Sequence, residues 1–152
     1  MLAPYEAGDE AAWFASFGFF VELRPRYYEC DGQGHVSNVV YPGYLELSRL
    51  QYFAAAQDPE PLRSFAFAHV TAELTLRYIA ACYYDESLRI GSKLFALGRS
   101  SATLDQVIAG QDHTVRALAR ITVVRAAPSG EGTAPWTAAQ RLALGAFSGN
   151  AF

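Results

Sequence analysis

A period of two between hydrophobic and polar residues dominates the second half of the chain. Apolar and polar side chains alternate without interruption over residues 70–78, which is typical of a β-strand. Residues 88–96 and 115–123 show the same period, and residues 101–109 between them are interpreted as a further strand. Residues 110–113 (Gly-Gln-Asp-His) are typical of a hairpin turn. Because the connections are short, the pattern predicts an antiparallel sheet.

An earlier segment, residues 20–28, also predicts an extended strand. Val21, Leu23 and Tyr27 are expected on one face, with charged residues on the other. Pro25 cannot donate a backbone hydrogen bond, so it implies a strand edge or a bulge at that point.

A helix follows this strand after a tight loop. The glycines of residues 31–34 predict the loop, and the apolar residues from Tyr41 to about Gln57 predict the helix. Apolar residues occupy most of the helix circumference, as expected for a helix buried within a protein. Residues 58–61 (Asp-Pro-Glu-Pro) are expected to end it.

Two further segments flank these elements. Thr137 and Gln140 form a Thr-x-x-Gln capping box, which predicts a short helix near the end of the chain that carries Leu142, Leu144 and Phe147. The acidic, Ala-rich residues 1–18 have no assigned structure, but aromatic residues predict that this lead-in packs: Trp13, Phe14, Phe17 and Phe19. The order of elements predicts an α+β domain in which an antiparallel sheet wraps one central helix.

Composition adds an expectation about assembly. Of the 152 residues, 51% are hydrophobic and only 18% are charged, so the chain can bury one sizeable core. The apolar surplus exceeds what one small domain covers easily. We therefore expect a homo-oligomer, a dimer or a tetramer.

Charge and cysteine content limit the expected binding partners and the expected cellular location. The net charge is -3 and no run of Lys or Arg occurs, so neither nucleic acid nor a membrane surface is an expected partner. Cys30 and Cys82 lack the pattern of a disulfide framework or a zinc site and are expected to be buried reduced thiols. With no export signal or membrane span recognised in the sequence, a cytoplasmic location is expected.

The polar residues concentrate between the first strand and the helix. A carboxylate at this junction can lie near the helix N-terminus, where unpaired N–H groups and the helix dipole stabilise negative charge. A base or nucleophile beside such an oxyanion site is what acyl transfer requires.

A family resemblance rests on this junction. Asp31, His35-Val36, Asn38 and Tyr41 resemble the Asp-x-x-x-His-Val-x-Asn-x-x-Tyr signature of the 4-hydroxybenzoyl-CoA thioesterase-like family of hot-dog acyl-CoA thioesterases. The intervening Gly-Gln-Gly is closer to the long-chain acyl-CoA branch. Later strands and the C-terminal helix also resemble the family, which implies a hot-dog domain at residues 19–147 after an N-terminal extension at residues 1–18.

The resemblance implies roles for the residues of the signature. Asp31 either activates water as a general base or attacks the thioester carbonyl as a nucleophile, and both remain open. His35 is expected to position Asp31 or to polarise the thioester oxygen. For Asn38 the functional role is to orient water or to present its N–H to the oxyanion. The alternative, from the residue type alone, is that it caps the helix, and the two roles are compatible.

Substrate contacts are implied for Tyr41, Arg77 and Tyr78, with Arg77 a candidate for the phosphates of CoA. The expected substrate is an acyl-CoA, and CoA enters only as part of it, so neither a cofactor nor a metal is expected. Glu46 is a candidate for a second carboxylate at the site and is expected to pair with Arg49 on the surface. The other strand cations are expected on solvated faces: Arg89, Lys93, Arg116 and Arg120.

Two alternatives compete with hydrolysis. A hot-dog acyl-CoA hydratase would also use Asp and His, but its Asp-x-Asn-Pro-x-His pattern is absent. A non-catalytic hot-dog protein that binds acyl-CoA would not need Asp31, His35 and Asn38 together.

Overall fold

The computed structural model describes residues 10–56 and 69–149, and within these residues it contains one five-stranded antiparallel sheet. The strands are β1 (Phe20–Leu23), β2 (His69–Tyr78), β3 (Leu88–Leu97), β4 (Ser101–Gly110) and β5 (Val115–Arg125). Their order across the sheet is β1-β3-β4-β5-β2, with every neighbouring pair antiparallel. The α-helices are α1 (Glu10–Ala15), α2 (Tyr41–Ala56) and α3 (Ala138–Ser148). The predicted antiparallel sheet and central helix are confirmed.

The long helix α2 packs along one face of the sheet. Tyr44, Leu45 and Phe53 are buried on its sheet side, together with apolar residues of β3, β4 and β5. Leu47 and Leu50 on the other side remain 40% and 39% exposed, so burial around the whole helix is wrong for this single chain. The reason is that the sheet covers one side of the helix only. The expected helix end at residues 58–61 lies outside the described residues.

The opposite face of the sheet is covered near its centre by the N-terminal segment. Phe14 and Phe17 form a buried cluster with Val107, Val115 and others from β4 and β5. A Cβ at Gly91 would come within 2.8 Å of the Val107 side chain and would crowd the rings of Phe17 and Phe20, so the aromatic packing needs glycine there. The expected packing of these aromatic residues is confirmed.

The strand β1 is shorter than the sequence predicts. It ends at Leu23, and Tyr27–Glu29 form a 3-10 turn instead of continuing the strand. Pro25 has no N–H to donate, and the Arg26 N–H is taken by the Glu29 carboxylate at 2.6 Å. Tyr27 is 80% exposed, so its expected place beside Val21 and Leu23 is wrong.

The strand β2 lies at the sheet edge and is largely exposed. A bulge between Thr71 and Glu73 changes its register, so Val70 opposes Val124 while Leu74 opposes Ile121. Val124 and Ile121 are three residues apart on β5, so their side chains lie on opposite faces of the sheet, because side chains alternate along a strand. Val70 is therefore 57% exposed while Leu74 packs on the core, and the predicted uninterrupted alternation is wrong at the bulge.

The helix α3 begins at the predicted capping box. The Gln140 N–H donates to Thr137 Oγ1 at 3.1 Å, and the Thr137 N–H donates to Gln140 Oε1 at 2.9 Å. Leu144 is buried, but Leu142 is exposed to solvent. In the described part of the chain, no helix has the length and apolarity needed to cross a membrane.

The cations of β3 and β5 that were expected on solvated faces are partly covered: Arg89, Lys93, Arg116 and Arg120. Arg120 forms a two-point ion pair with buried Asp105, with nitrogen–oxygen distances of 2.7 and 3.0 Å, and Arg116 pairs with Glu86. The guanidinium carbon of Arg89 lies 4.2 Å from the ring centre of Phe20. The ammonium nitrogen of Lys93 lies over the rings of Trp13 and Phe17. The expectation fails for Arg89 and Lys93 because the N-terminal segment covers a face that alternation alone marks as outward. It fails for Arg116 and Arg120 because each pairs with a carboxylate that is itself largely buried.

Candidate active site

The loop that carries Asp31 is closed by its own hydrogen bonds. The Asp31 N–H donates to His35 O at 2.8 Å, and the Gly34 N–H donates to Asp31 O at 3.0 Å. Gly34 has φ +82°, which favours glycine at this turn. Asp31 Oδ1 accepts from the Gln33 N–H at 2.8 Å, an Asx turn that fixes the carboxylate. Asp31 is exposed, so the turn holds its carboxylate at the surface.

Neighbouring segments anchor this loop at several points. The Val36 N–H donates to Cys82 O at 2.9 Å, and the Ser37 N–H donates to Glu29 O at 2.9 Å. The rings of His35 and Tyr83 pack in a T-shaped arrangement, with centroids 5.7 Å apart. His35 is thus held by the segment that connects β2 and β3.

Buried tyrosines at the start of α2 complete the anchoring. The Tyr44 hydroxyl donates to the Glu29 carboxylate at 2.8 Å, and the Tyr41 hydroxyl accepts from the Cys82 N–H at 3.0 Å. Burial is the main cause that raises the pKa of both phenols, so they remain protonated. Burial also raises the pKa of Cys82 to about 11 and keeps its thiol neutral. Both cysteines are free, but Cys30 is only half-buried, so the expectation of two buried thiols holds for Cys82 alone.

Asn38 lies in the turn before α2. Its backbone oxygen accepts from the Tyr78 hydroxyl at 2.9 Å, which ties the loop to the end of β2. The alternative that Asn38 caps the helix is wrong, because α2 begins at Tyr41 and the flanking position belongs to Val40.

The hydrogen bond from Tyr78 gives a stability prediction. Tyr78→Phe keeps the ring and removes the donor, so we expect the free energy of unfolding to fall by roughly 0.5–1.5 kcal/mol in chemical denaturation. Tyr84→Phe is the matched control, since the Tyr84 hydroxyl bonds to no described residue. Equal stability of the two variants would show that the bond to Asn38 does not stabilise the loop.

Several backbone N–H groups near the start of α2 have no acceptor in the described part of the chain. The Gly43 and Tyr44 N–H groups bond to Val40 O, and Pro42 has none. The N–H groups of Asn38, Val39 and Tyr41 have no acceptor among the described residues. Such unpaired donors at a helix N-terminus favour negative charge.

An open depression of about 350 Å³ brings most of the predicted site residues together. It is lined by Asp31, His35, Val36, Asn38, Tyr41, Tyr78, Ile79, Ala80 and Ala81. Arg77, also predicted for the site, is exposed on β2 next to Tyr78 and does not line the depression. Glu46 lies outside it and pairs with Arg49 at 3.4 Å; Arg49 is 3% exposed, so this is not the expected surface pair.

Sequence reasoning did not identify the residues that anchor the loop. Glu29 binds both the Arg26 N–H and the Tyr44 hydroxyl, and Cys82 and Tyr83 hold the loop from the segment between β2 and β3. Of these residues, only Glu29 could have been recognised from the local sequence, because an acidic residue three positions after Arg26 can form a capping box. Within residues 10–56 and 69–149, no group of three or more His, Cys, Asp or Glu residues is arranged to hold a metal ion.

Solved structures show what the fold is. A thioesterase from Thermus thermophilus, complexed with coenzyme A and Zn, is 25% identical over 90% of this chain and 98% of that chain, with a TM-score of 0.79. A predicted thioesterase from Bacillus stearothermophilus is also 25% identical, over 83% of this chain and 92% of that one, with a TM-score of 0.75. The protein SAV2348 from Staphylococcus aureus, in complex with CoA, shares the fold at 10% identity over 87% of this chain and 84% of that chain, with a TM-score of 0.78. The fold is the hot-dog fold, as the sequence resemblance implied.

The family follows from the sequence itself. Residues 33–117 match the sequence profile of the Thioesterase superfamily. This match spans more than half of the chain, so the protein belongs to the thioesterase superfamily. A comparison with curated protein sequences gives no match.

Proposed function

We propose that the protein hydrolyses an acyl-CoA thioester to a free acid and CoA in the depression at the start of α2. The observation that carries this proposal is the placement of Asp31, His35 and Asn38 around one depression, in which the lining residues Asn38 and Tyr41 have backbone N–H groups with no acceptor among the described residues. A carboxylate next to preorganised donors is the arrangement that acyl transfer needs. Membership of the thioesterase superfamily supports the same reaction.

Asp31 supplies the reactive carboxylate. The Gln33 N–H occupies Oδ1, which leaves Oδ2 to act. As a general base it takes a proton from water while the water oxygen bonds to the carbonyl carbon; the carbon–sulfur bond then breaks and CoA leaves as the thiol. As a nucleophile it forms a mixed anhydride as the CoA thiolate leaves, and water then hydrolyses the anhydride. In either route the carbonyl oxygen gains charge facing the N–H groups of residues 38, 39 and 41.

His35 acts on the carbonyl oxygen or on the orientation of Asp31. His35→Ala is expected to lower kcat by roughly ten- to a hundredfold while the thermal unfolding midpoint changes little, because the half-buried ring packs against the exposed Tyr83 and its nitrogens bond to no described residue. His113→Asn is the control, since His113 lies outside the depression and asparagine tolerates its positive φ. Unchanged kinetics of the His35 variant would make this histidine a solvated loop residue.

The substrate is proposed to contact Tyr41 and Tyr78 along the wall of the depression, and Arg77 is proposed to bind CoA phosphate from the adjacent strand position. The complexes of two structural relatives with CoA support an acyl-CoA substrate. Tyr41 contributes through its ring, because its hydroxyl is engaged with the Cys82 N–H.

A homo-oligomer, a dimer or a tetramer, is proposed as the functional form. The strand β2 is an edge strand that pairs on one side only, with β5, among the described residues. An exposed edge with apolar residues such as Val70 is suited to pairing with a second copy. The unburied apolar residues Leu47 and Leu50 on α2 support the same proposal.

A thiol-release assay over short, long and aromatic acyl-CoAs tests the reaction. Hydrolysis is expected for at least one class, seen as free CoA thiol together with the free acid. An enoyl-CoA in the same series separates the competing reactions, because hydration removes the enoyl absorbance without releasing thiol. Binding of acyl-CoA with no thiol release across the series would instead make the protein a binding protein.

A further inference from the structure

The chain has one lysine, and it lies far from the depression described above. Lys93 is the only lysine among the twelve Lys and Arg residues of the sequence. It lies on β3 directly opposite Asp105 of β4, on the face of the sheet that the N-terminal segment covers, and is half-buried.

Lys93 lines a cavity that the short strand β1 leaves open. Pairing between β1 and β3 stops at Gly91, and among the described residues no strand pairs with the outer edge of β3 beyond Ser92. The resulting cavity of about 530 Å³ lies between this edge, α1 and α3. Its volume falls in the range of small-molecule sites. Aromatic rings form much of its wall: Trp13, Phe19, Tyr52, Phe95 and Phe147.

Within this cavity the ammonium group of Lys93 has one hydrogen-bond acceptor among the described residues. Its Nζ donates to Ser16 Oγ at 2.6 Å and lies 5.0 Å from the ring centre of Phe17. No carboxylate lies within 4.0 Å of Nζ in the described part of the chain, because the nearby Asp105 is engaged by Arg120. An ammonium has three donors, and burial lowers the pKa of Lys93, so a bound anion would stabilise its charge.

We propose that this cavity binds a monocarboxylate with an apolar body, with the carboxylate on Lys93 Nζ and the body against the aromatic rings. The single ammonium matches one negative charge, which favours a monocarboxylate over a dianion such as phosphate. The ring-lined wall offers apolar contact that a small inorganic anion would not use.

The cavity is separate from the depression at Asp31. Tyr41 lines the depression and Tyr52 lines the cavity, eleven residues later on α2, which corresponds to about 16 Å along the helix axis. No lining residue is shared between the two. Binding at Lys93 therefore does not depend on the proposed thioester hydrolysis.

Nuclear magnetic resonance of the single lysine tests the site directly. Protein labelled with ¹³C at the lysine ε-carbon gives one side-chain signal, that of Lys93. Octanoate is expected to shift this signal saturably, whereas octanol, which has the same chain length and no charge, is expected to shift it little. Octanoate bound only at the Asp31 depression would leave the Lys93 signal unmoved and would overturn the proposal.

Variants provide an independent readout through the fluorescence of Trp13, which lines the cavity. Lys93→Met keeps the apolar stem and is expected to weaken octanoate binding by at least about tenfold, and Lys93→Arg is expected to restore it. Arg99→Met, at an exposed position outside the cavity, is the matched control and should bind as the unaltered protein does. Equal octanoate affinity for Lys93→Met and Arg99→Met would overturn the proposal.

Discussion

Asp31→Asn is expected to lose nearly all thioester hydrolysis while its fold remains unchanged. The amide keeps the oxygen that accepts the Gln33 N–H, so the Asx turn and the loop persist. It can neither take a proton from water nor attack the carbonyl carbon, so kcat should fall by roughly a hundred- to ten-thousandfold. Thiol release with acyl-CoA in excess measures this fall, and circular dichroism checks the fold.

Asp112→Asn is a closely matched control for that experiment. Asp112 also lies in a turn and accepts, through Oδ1, the N–H of the residue two positions later, at 3.0 Å from Thr114 N. It does not line the depression. The control should therefore retain full activity. An Asp31→Asn variant as active as this control would remove Asp31 from the chemistry.

The largest expected effect on stability is that of Asp105→Ala. Asp105 is 3% exposed and forms the two-point ion pair with Arg120, whose guanidinium also lies 3.7 Å from the ring centre of Phe95. Removing the carboxylate takes the two-point partner away from a largely buried cation. The free energy of unfolding should fall by about 3–5 kcal/mol, measured by chemical denaturation.

Two comparisons separate the loss of this buried pair from the loss of any ion pair. Arg24→Ala removes the exposed pair with Asp85 and should cost no more than about 1 kcal/mol. The double variant Asp105→Leu with Arg120→Met replaces both charges by apolar groups and should recover much of the stability. A double variant as unstable as Asp105→Ala would show that the loss of the carboxylate beside the Arg120 charge is not the cause.

Local sequence patterns were sufficient to predict the elements but not their surroundings. The alternation along β3 and β5, the apolar helix α2 and the capping box of α3 are local signals, and each element was found within about two residues. The early end of β1 depends on the hydrogen bond between the Arg26 N–H and the Glu29 carboxylate. Which side chains of β2 point to the core depends on a bulge in its pairing with β5. The alternation of apolar and polar residues also could not reveal that the N-terminal segment covers the face of the sheet opposite α2.

The candidate site was predictable as far as it lies on one continuous segment. Asp31, His35 and Asn38 are close in sequence, and the loop that carries them brings them to one depression. Tyr78 came from family resemblance, since only the folded sheet brings it to Asn38. The anchoring by Cys82 and Tyr83 depends on how the connection from β2 to β3 passes the loop, which no local pattern encodes.

A crystal structure of the protein with a ketone analogue of acyl-CoA, in which a methylene group separates the sulfur from the carbonyl, tests the proposed reaction geometry directly. The expected result places the carbonyl carbon about 3–3.5 Å from an Asp31 oxygen or from a water bound to it. The carbonyl oxygen should face the N–H groups of residues 38, 39 and 41. A carbonyl bound elsewhere, with Asp31 facing solvent alone, would contradict the proposed site.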